Sequence, residues 1–172
     1  ETTPTTTPAP ETTATPTTTA TPTTTATPTT TAAPTTTAAP TAPAVLGDTS
    51  GTYNDTMAQE VLAYVNAERA AAGLGPVTWN GTLANDASIR ASEIVVTWAH
   101  TRPDGSKWWT AGSMTQMAEN LAYGQTTAAQ VVAEWMASPS HQANLMNGNY
   151  SQMGVSCYYC NGTYYWAQLF AY

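Results

Sequence analysis

The sequence predicts an α+β fold, with helices packed on a small antiparallel sheet behind a disordered Thr/Pro/Ala-rich stalk. Three observations carry that reading. Apolar residues recur at helical spacing in three segments between residues 57 and 136. Two strand patterns close the chain around Asn161-Gly162. The first 43 residues contain 23 Thr, 9 Pro, 9 Ala and 2 Glu and nothing else. Residues 1–44 are therefore read as a linker or stalk, and residues 45–172 as one domain of ordinary size.

Proline falls every six residues in the stalk, at Pro4, Pro10, Pro16, Pro22, Pro28, Pro34 and Pro40. Nothing there can build an apolar core, so folding has no gain to set against chain entropy. Extended, polyproline-like backbone would give a reach of roughly 130 Å. Dense Thr with Pro is the composition of an O-glycosylated stalk; a bare flexible linker is the other reading. The chain begins at Glu1 with no signal peptide in view, which points to a processed or trimmed product.

In the domain, Asp55 or Thr56 can cap a first helix whose apolar stripe is Met57, Val61 and Val65. Gly73, Gly75 and Pro76 stop it. A second helix runs from about Leu83 to Val95, burying Leu83, Ala87, Ala91, Ile94 and Val95. The stretch from Thr97 to Ser113 is irregular, with a turn at Arg102-Pro-Asp-Gly105. Thr126 or Thr127 opens a third helix, and Pro139 ends it and starts a short one holding His141. From Met153 the pattern becomes strand, and Asn161-Gly162 is a two-residue hairpin signal.

Charge excludes two classes of partner. The domain has Arg69, Arg90, Arg102 and Lys107 as its only basic side chains against nine acids. Nucleic-acid binding needs clustered Lys and Arg, as does a polybasic membrane anchor. No apolar run approaches the ~20 residues of a spanning helix. Asn54, Asn80, Asn149 and Asn161 each begin an N-glycosylation triplet, which fits an extracellular, secreted chain.

Few residues can carry chemistry. Cys157 and Cys160 form a C-x-x-C with no second pair for zinc. A short-range disulfide at the hairpin end is the first expectation, and two free thiols the second. His100 and His141 each read alone as structural hydrogen-bonding residues. Glu119 lies among apolar residues and would be buried unless paired. Two imidazoles and a carboxylate are the ligand set of an open zinc site, or an acid/base cluster. Ser138 and Ser140 read as helix caps, since no G-x-S-x-G is present. Trp108-Trp109 reads as packing or as the wall of a ligand cleft.

Together these segments resemble the CAP superfamily of cysteine-rich secretory, antigen 5 and pathogenesis-related-one proteins, in its microbial form. Val65-Asn-Ala-Glu-Arg69 and Gly73-Leu-Gly-Pro-Val-Thr-Trp79 resemble the first helix and following turn, and Leu83-Ala-Asn-Asp-Ala87 the second helix. His100-Thr-Arg-Pro-Asp-Gly105 is similar to the loop of the first cavity histidine. Ala118-Glu-Asn-Leu-Ala122 is similar to the G-E-N-[IL]-A box, and Trp135-Met-Ala-Ser-Pro-Ser-His-Gln-Ala-Asn-Leu145 to the W-x-x-S-P-x-H segment. Gly154-Val-Ser and Tyr165-Trp-Ala-Gln-Leu-Phe170 resemble the last two strands. The resemblance implies an α-β-α sandwich and a cavity in which His100, Glu119 and His141 bind a divalent metal such as zinc. The plant and animal second glutamate is Ser138 here, and the later H-[YF]-T-Q is absent. Glu134 is another acid nearby, without support from the family pattern. The implied function is a secreted or cell-surface monomer that binds a small apolar ligand (sterol or lipid) or a surface partner. A metal-dependent hydrolase is the alternative. Deleting residues 1–43 is expected to leave the thermal midpoint of the domain unchanged within a few degrees, as calorimetry on the shortened chain would read; a larger drop would show that the stalk packs on the domain.

Overall fold

The computed structural model describes residues 49–113, 115 and 117–172. These all lie in the second of the chain's two units, Pro40–Tyr172. The expected stalk lies outside the described residues.

Each helix begins where a side chain can take up orphan N–H groups. Helix α1 spans Asp55–Ala71, and its cap is Asn54, one residue ahead of the expected Asp55 or Thr56. The Asn54 carboxamide accepts from the Met57 N–H at 3.0 Å. Helix α2, Gly81–Val96, starts earlier than expected because Asn80 caps it, accepting from Thr82 and Leu83. Helix α3, Ala128–Ala137, is capped by Thr127, and α4, Pro139–Leu145, has proline in its first turn.

The strands are β1 (Thr52–Tyr53), β2 (Thr78–Trp79), β3 (Ala118–Tyr123), β4 (Gln152–Cys160) and β5 (Thr163–Ala171). The sheet order is β1-β4-β5-β3, with β2 also on β4. All pairs are antiparallel except β2 with β4. Asn161 and Gly162 both adopt positive φ, 49° and 79°, as the tight β4–β5 hairpin requires. The sequence pattern shows only β4 and β5; β1 and β2 are two residues long, and β3 is the one longer strand it does not reveal. All six of its residues are buried, so the polar/apolar alternation of a half-exposed strand is missing.

Burial on both faces makes the sheet the middle of three layers. Val155, Cys157, Trp166 and Phe170 pack on one face with Val61 and Val65 of α1 and Val131 and Trp135 of α3. Tyr158, Cys160, Tyr165, Ala167 and Leu169 pack on the other with Leu83, Ala87, Ala91 and Ile94 of α2. The α-β-α sandwich implied by the resemblance is therefore present. One polar clamp fixes its end. Arg69, near the end of α1, is buried and donates to the carbonyls of Gly75 (2.8 Å), Leu145 (2.8 Å), Asn147 (2.9 Å) and Tyr150 (3.2 Å). Those carbonyls include the end of α4, where the helix dipole favours a cation.

Cys157 and Cys160 are both buried thiols, so the expected bridge is not formed. Three residues apart on one strand, they face opposite sides of the sheet with Cα atoms ~10 Å apart, beyond the reach of a disulfide. Burial also pushes the Cys157 thiol up to about 12, which leaves it unreactive at neutral pH.

Helix α2 lies directly on β4 at Gly154, where an added Cβ would run into the backbone of Leu83 and Ala84. Gly154→Ala is expected to destabilise the domain by about 3 kcal/mol, because the obstacle is backbone and cannot swing aside. Urea unfolding measures this; a change under about 0.5 kcal/mol, the size of an ordinary surface substitution, would contradict the packing.

Candidate functional site

The expected site lies along β3, the edge of the sheet away from β1 and β2. Residue parity on β3 sets which side chains go where. Leu121 and Tyr123 belong to the α2 side and Ala118 and Ala122 to the other, so Glu119 turns toward α2 and Asn120 toward α4.

Glu119 is buried and paired, and its partner is Arg90 of α2. Arg90 Nε lies 2.7 Å from Glu119 Oε2, and Nη2 lies 3.4 Å from Oε1. Arg90 also binds Glu93 and donates to the Ala99 carbonyl at 2.8 Å. Burial works against the Arg90 charge, but hydrogen bonds and charge from Glu119 and then Glu93 outweigh it and raise its pKa from the ordinary guanidinium value. His100 completes the cluster, with Nδ1 2.8 Å from Glu119 Oε1 and its ring largely in solvent. The loop carrying it is held by Arg102, which binds Glu93 Oε1 through Nε at 2.9 Å and Nη2 at 2.6 Å. The sequence calls for a partner for Glu119 without showing that it is Arg90. No local spacing links the two, which are 29 positions apart.

His141 is not bonded to this pair, although it lies near enough to His100 to feel its charge. Its ring belongs to α4, and among the described residues it makes no hydrogen bond to His100 or Glu119. Its Nδ1 is buried without a partner. Desolvation, and then the charge of His100, lower its pKa from 6.5. What joins α4 to β3 is amide chemistry. Asn144 donates to Asn120 Oδ1 at 2.8 Å, and Asn120 donates to Gln168 Oε1 at 3.0 Å and to the His141 carbonyl at 3.3 Å.

These donors do not fit a three-ligand zinc centre. Both Glu119 oxygens already hold the Arg90 guanidinium, whose charge opposes a cation at the same place. Among the described residues, no three His, Cys, Asp or Glu side chains stand in ligand geometry. Glu134 is engaged elsewhere, with Gln125 and Gln130. Ser138 and Ser140 approach each other at 3.4 Å, with no histidine bonded to either among the described residues. Of the four glycosylation triplets, Asn54 and Asn80 cap helices, while Asn149 and Asn161 are exposed.

The profile of the cysteine-rich secretory protein family, CAP, matches residues 62–170. The chain belongs to the CAP family. Its architecture agrees with solved CAP-like structures. An outer surface protein of Borrelia burgdorferi superposes with TM-score 0.58 at 18% identity, covering 70% of this chain and 97% of that one. An extracellular protein of Bacillus anthracis containing an SCP domain gives TM-score 0.59 at 17% identity, covering 69% and 41%. In sequence, the CAP chain is 30% identical over 125 residues to YkwD of Bacillus subtilis, an uncharacterized protein. It spans 46% of the length of that relative, and the match covers 65% of its own. The microbial type implied by the S-P-x-H histidine is in keeping with these bacterial matches. No helix among the described residues is long and apolar enough to cross a membrane.

The His141 environment sets a pH dependence. Its pKa is lower in the fold than the unfolded value of 6.5, so the unfolded CAP chain binds more protons below that pH. The neutral ring's contribution is complete above pH 6.5 and is lost as pH falls below it. The thermal midpoint of wild type is expected to fall between pH 7 and 5.5 more steeply than that of His141→Gln. Parallel slopes in scanning calorimetry would remove His141 from the account.

Proposed function

We propose that this chain works outside the cell as a non-enzymatic CAP module that binds a small apolar ligand of the sterol or lipid class. The observation that carries the reading is apolar surface left in solvent beside the Arg90–Glu119–His100 cluster. Trp109 is 50% exposed and Trp98 37%, and Met117, the residue before β3, is 36% exposed. Trp98 leans edge-on against Tyr123 with ring centroids 4.6 Å apart, and Trp109 stands edge-on to Trp108 at 5.5 Å. Large rings held rigid in water lose little entropy on binding and supply much of the energy of apolar recognition. The cluster beneath them is a scaffold. Arg90 holds Ala99 and Glu119, and Glu119 holds His100, so the loop between them has a fixed course.

Hydrolysis finds less support. Glu119 is engaged by a guanidinium, and no serine among the described residues is paired with an imidazole. A metal ion plays no part in this reading, because occupancy by zinc would first require Arg90 to leave.

Titration of the full chain with a sterol or long-chain fatty acid tests the proposal. The expected result is a saturable blue shift of tryptophan emission, with affinity lowered about tenfold in Trp109→Ala, equivalent to about 1.4 kcal/mol. Absence of a saturable shift, with the aromatic loop protected instead by a protein partner, would replace the ligand. Turnover of peptide or ester substrates that disappears in His100→Ala would establish the hydrolase.

A further inference from the structure

Helix α2 carries three charged side chains, Asp86, Arg90 and Glu93, that all reach the segment from Ala99 to Ser113. Their spacing of four and then three residues sets them in one row along about 10 Å of the helix. Arg90 holds the Ala99 carbonyl and Glu93 holds Arg102, at the near end of the segment. Asp86 serves the far end. Its side chain is buried, with the residue 4% exposed, and its carboxylate accepts the Ser113 N–H at 3.3 Å.

Between these ties the segment is bonded to itself. Thr101 pairs with Lys107 across a turn in which the Arg102 N–H donates to the Ser106 carbonyl at 3.0 Å. Thr110 closes the short helical turn Trp108–Thr110, and its carbonyl accepts from Arg102 Nη1 at 3.0 Å. Trp109 is thus tied on one side through Thr110 and Arg102 to Glu93, and on the other through Gly112 and Ser113 to Asp86. Gly112 makes the second tie possible. A Cβ there would overlap the Asp86 carboxylate, carbon and both oxygens. Gly112 is not among the glycines with positive φ, so the requirement is for space and not for backbone conformation. The obstacle is the end of a side chain. Gly112→Ala would therefore push the carboxylate off Ser113 and leave the sheet undisturbed.

We infer that Asp86 and Gly112 form a clasp that fixes the exposed Trp109 ring, with Asp86 a positioning residue that acts without touching ligand. A buried carboxylate must keep its hydrogen-bond donors, and the Ser113 N–H is one, so the end of the turn has a set position. A ring held in this way has already given up the freedom that binding would otherwise remove. In its effect on affinity the inference rests on the apolar-ligand reading above; in its effect on the order of the ring it stands alone.

The test uses nitrogen-labelled full chain, with relaxation of the Trp109 indole N–H measured first and calorimetric titration with oleate second. The variants are Asp86→Ala, Gly112→Ala, the two combined, and Asp86→Asn. The indole order parameter is expected to fall by about 0.2 in each alanine variant and no further in the combination. Asp86→Asn is expected to match wild type, because its carboxamide oxygen still accepts the Ser113 N–H. Oleate affinity should fall about fivefold in the same variants, with the loss appearing as entropy. The thermal midpoint of Gly112→Ala should stay within a few degrees of wild type, which separates the clasp from loss of the fold. Unchanged indole order in both single alanine variants would overturn the clasp, whether or not oleate binds. Additive losses in the combined variant would overturn it too, since one device cannot be lost twice. A ring that loosens as expected in a chain without saturable oleate binding would uphold the clasp and remove the ligand reading.

Discussion

From Tyr165 to Ala171, β5 has no exposed residue, and β3 has none along its whole length. A sheet in that position must be covered on both sides, and helices are the elements available to cover it. The three layers follow from this constraint. So does the position of every polar group that the layers trap, because a group on a doubly buried strand must find its partner inside the protein. Asn120 finds Gln168 and Asn144, and Trp166 gives its indole N–H to the Gln125 carbonyl at 3.0 Å.

The same constraint governs the charges. Of the four basic side chains, Arg69 and Arg90 are buried, and both act as clamps between elements distant in sequence. Arg69 holds carbonyls alone, at the ends of α1 and α4. Arg90 holds Glu119 and Glu93 and, through Ala99, the start of the aromatic loop. A buried pair of this kind is weak evidence for net stability. Its breakage is nonetheless costly, about 3–5 kcal/mol, because the remaining charge has no solvent. The geometry of the β3 edge is therefore a by-product of satisfying one guanidinium, and His100 takes its orientation from the carboxylate that this guanidinium fixes.

The two ends of the sheet consequently differ in chemistry. At the β3 edge a loop rich in tryptophan is fastened over a neutralised carboxylate, which leaves apolar surface outermost. At the β1/β2 edge two short strands stop before they meet, and a cleft lined by Tyr53, Asp55, Gln59, Trp79 and Asn85 lies there. Both features depend on where α2 begins and ends. Asn80 starts it beside Val155, and Arg90, three turns further on, reaches the opposite edge.

The sequence by itself determined the helices, the hairpin and the order of the family's motifs, because these rest on local physics. Met57, Val61 and Val65 recur at helical spacing, Pro139 cannot continue a helix, and Asn161-Gly162 accepts positive φ. It also determined that Glu119 needed a partner, since a carboxylate among apolar neighbours cannot stay alone. Only the tertiary structure decided which partner. Arg90 is 29 positions away, and its side chain meets Glu119 because α2 lies across β4 and β5, within reach of β3 for a long guanidinium side chain. The tertiary structure likewise decided the cysteines. The C-x-x-C spacing reads as a bridge in a tight turn, but β4 runs straight through both residues and sends them to opposite cores. β3 was hidden for a related reason: a strand buried on both faces shows no alternation, and its identity emerges only once β5 lies beside it.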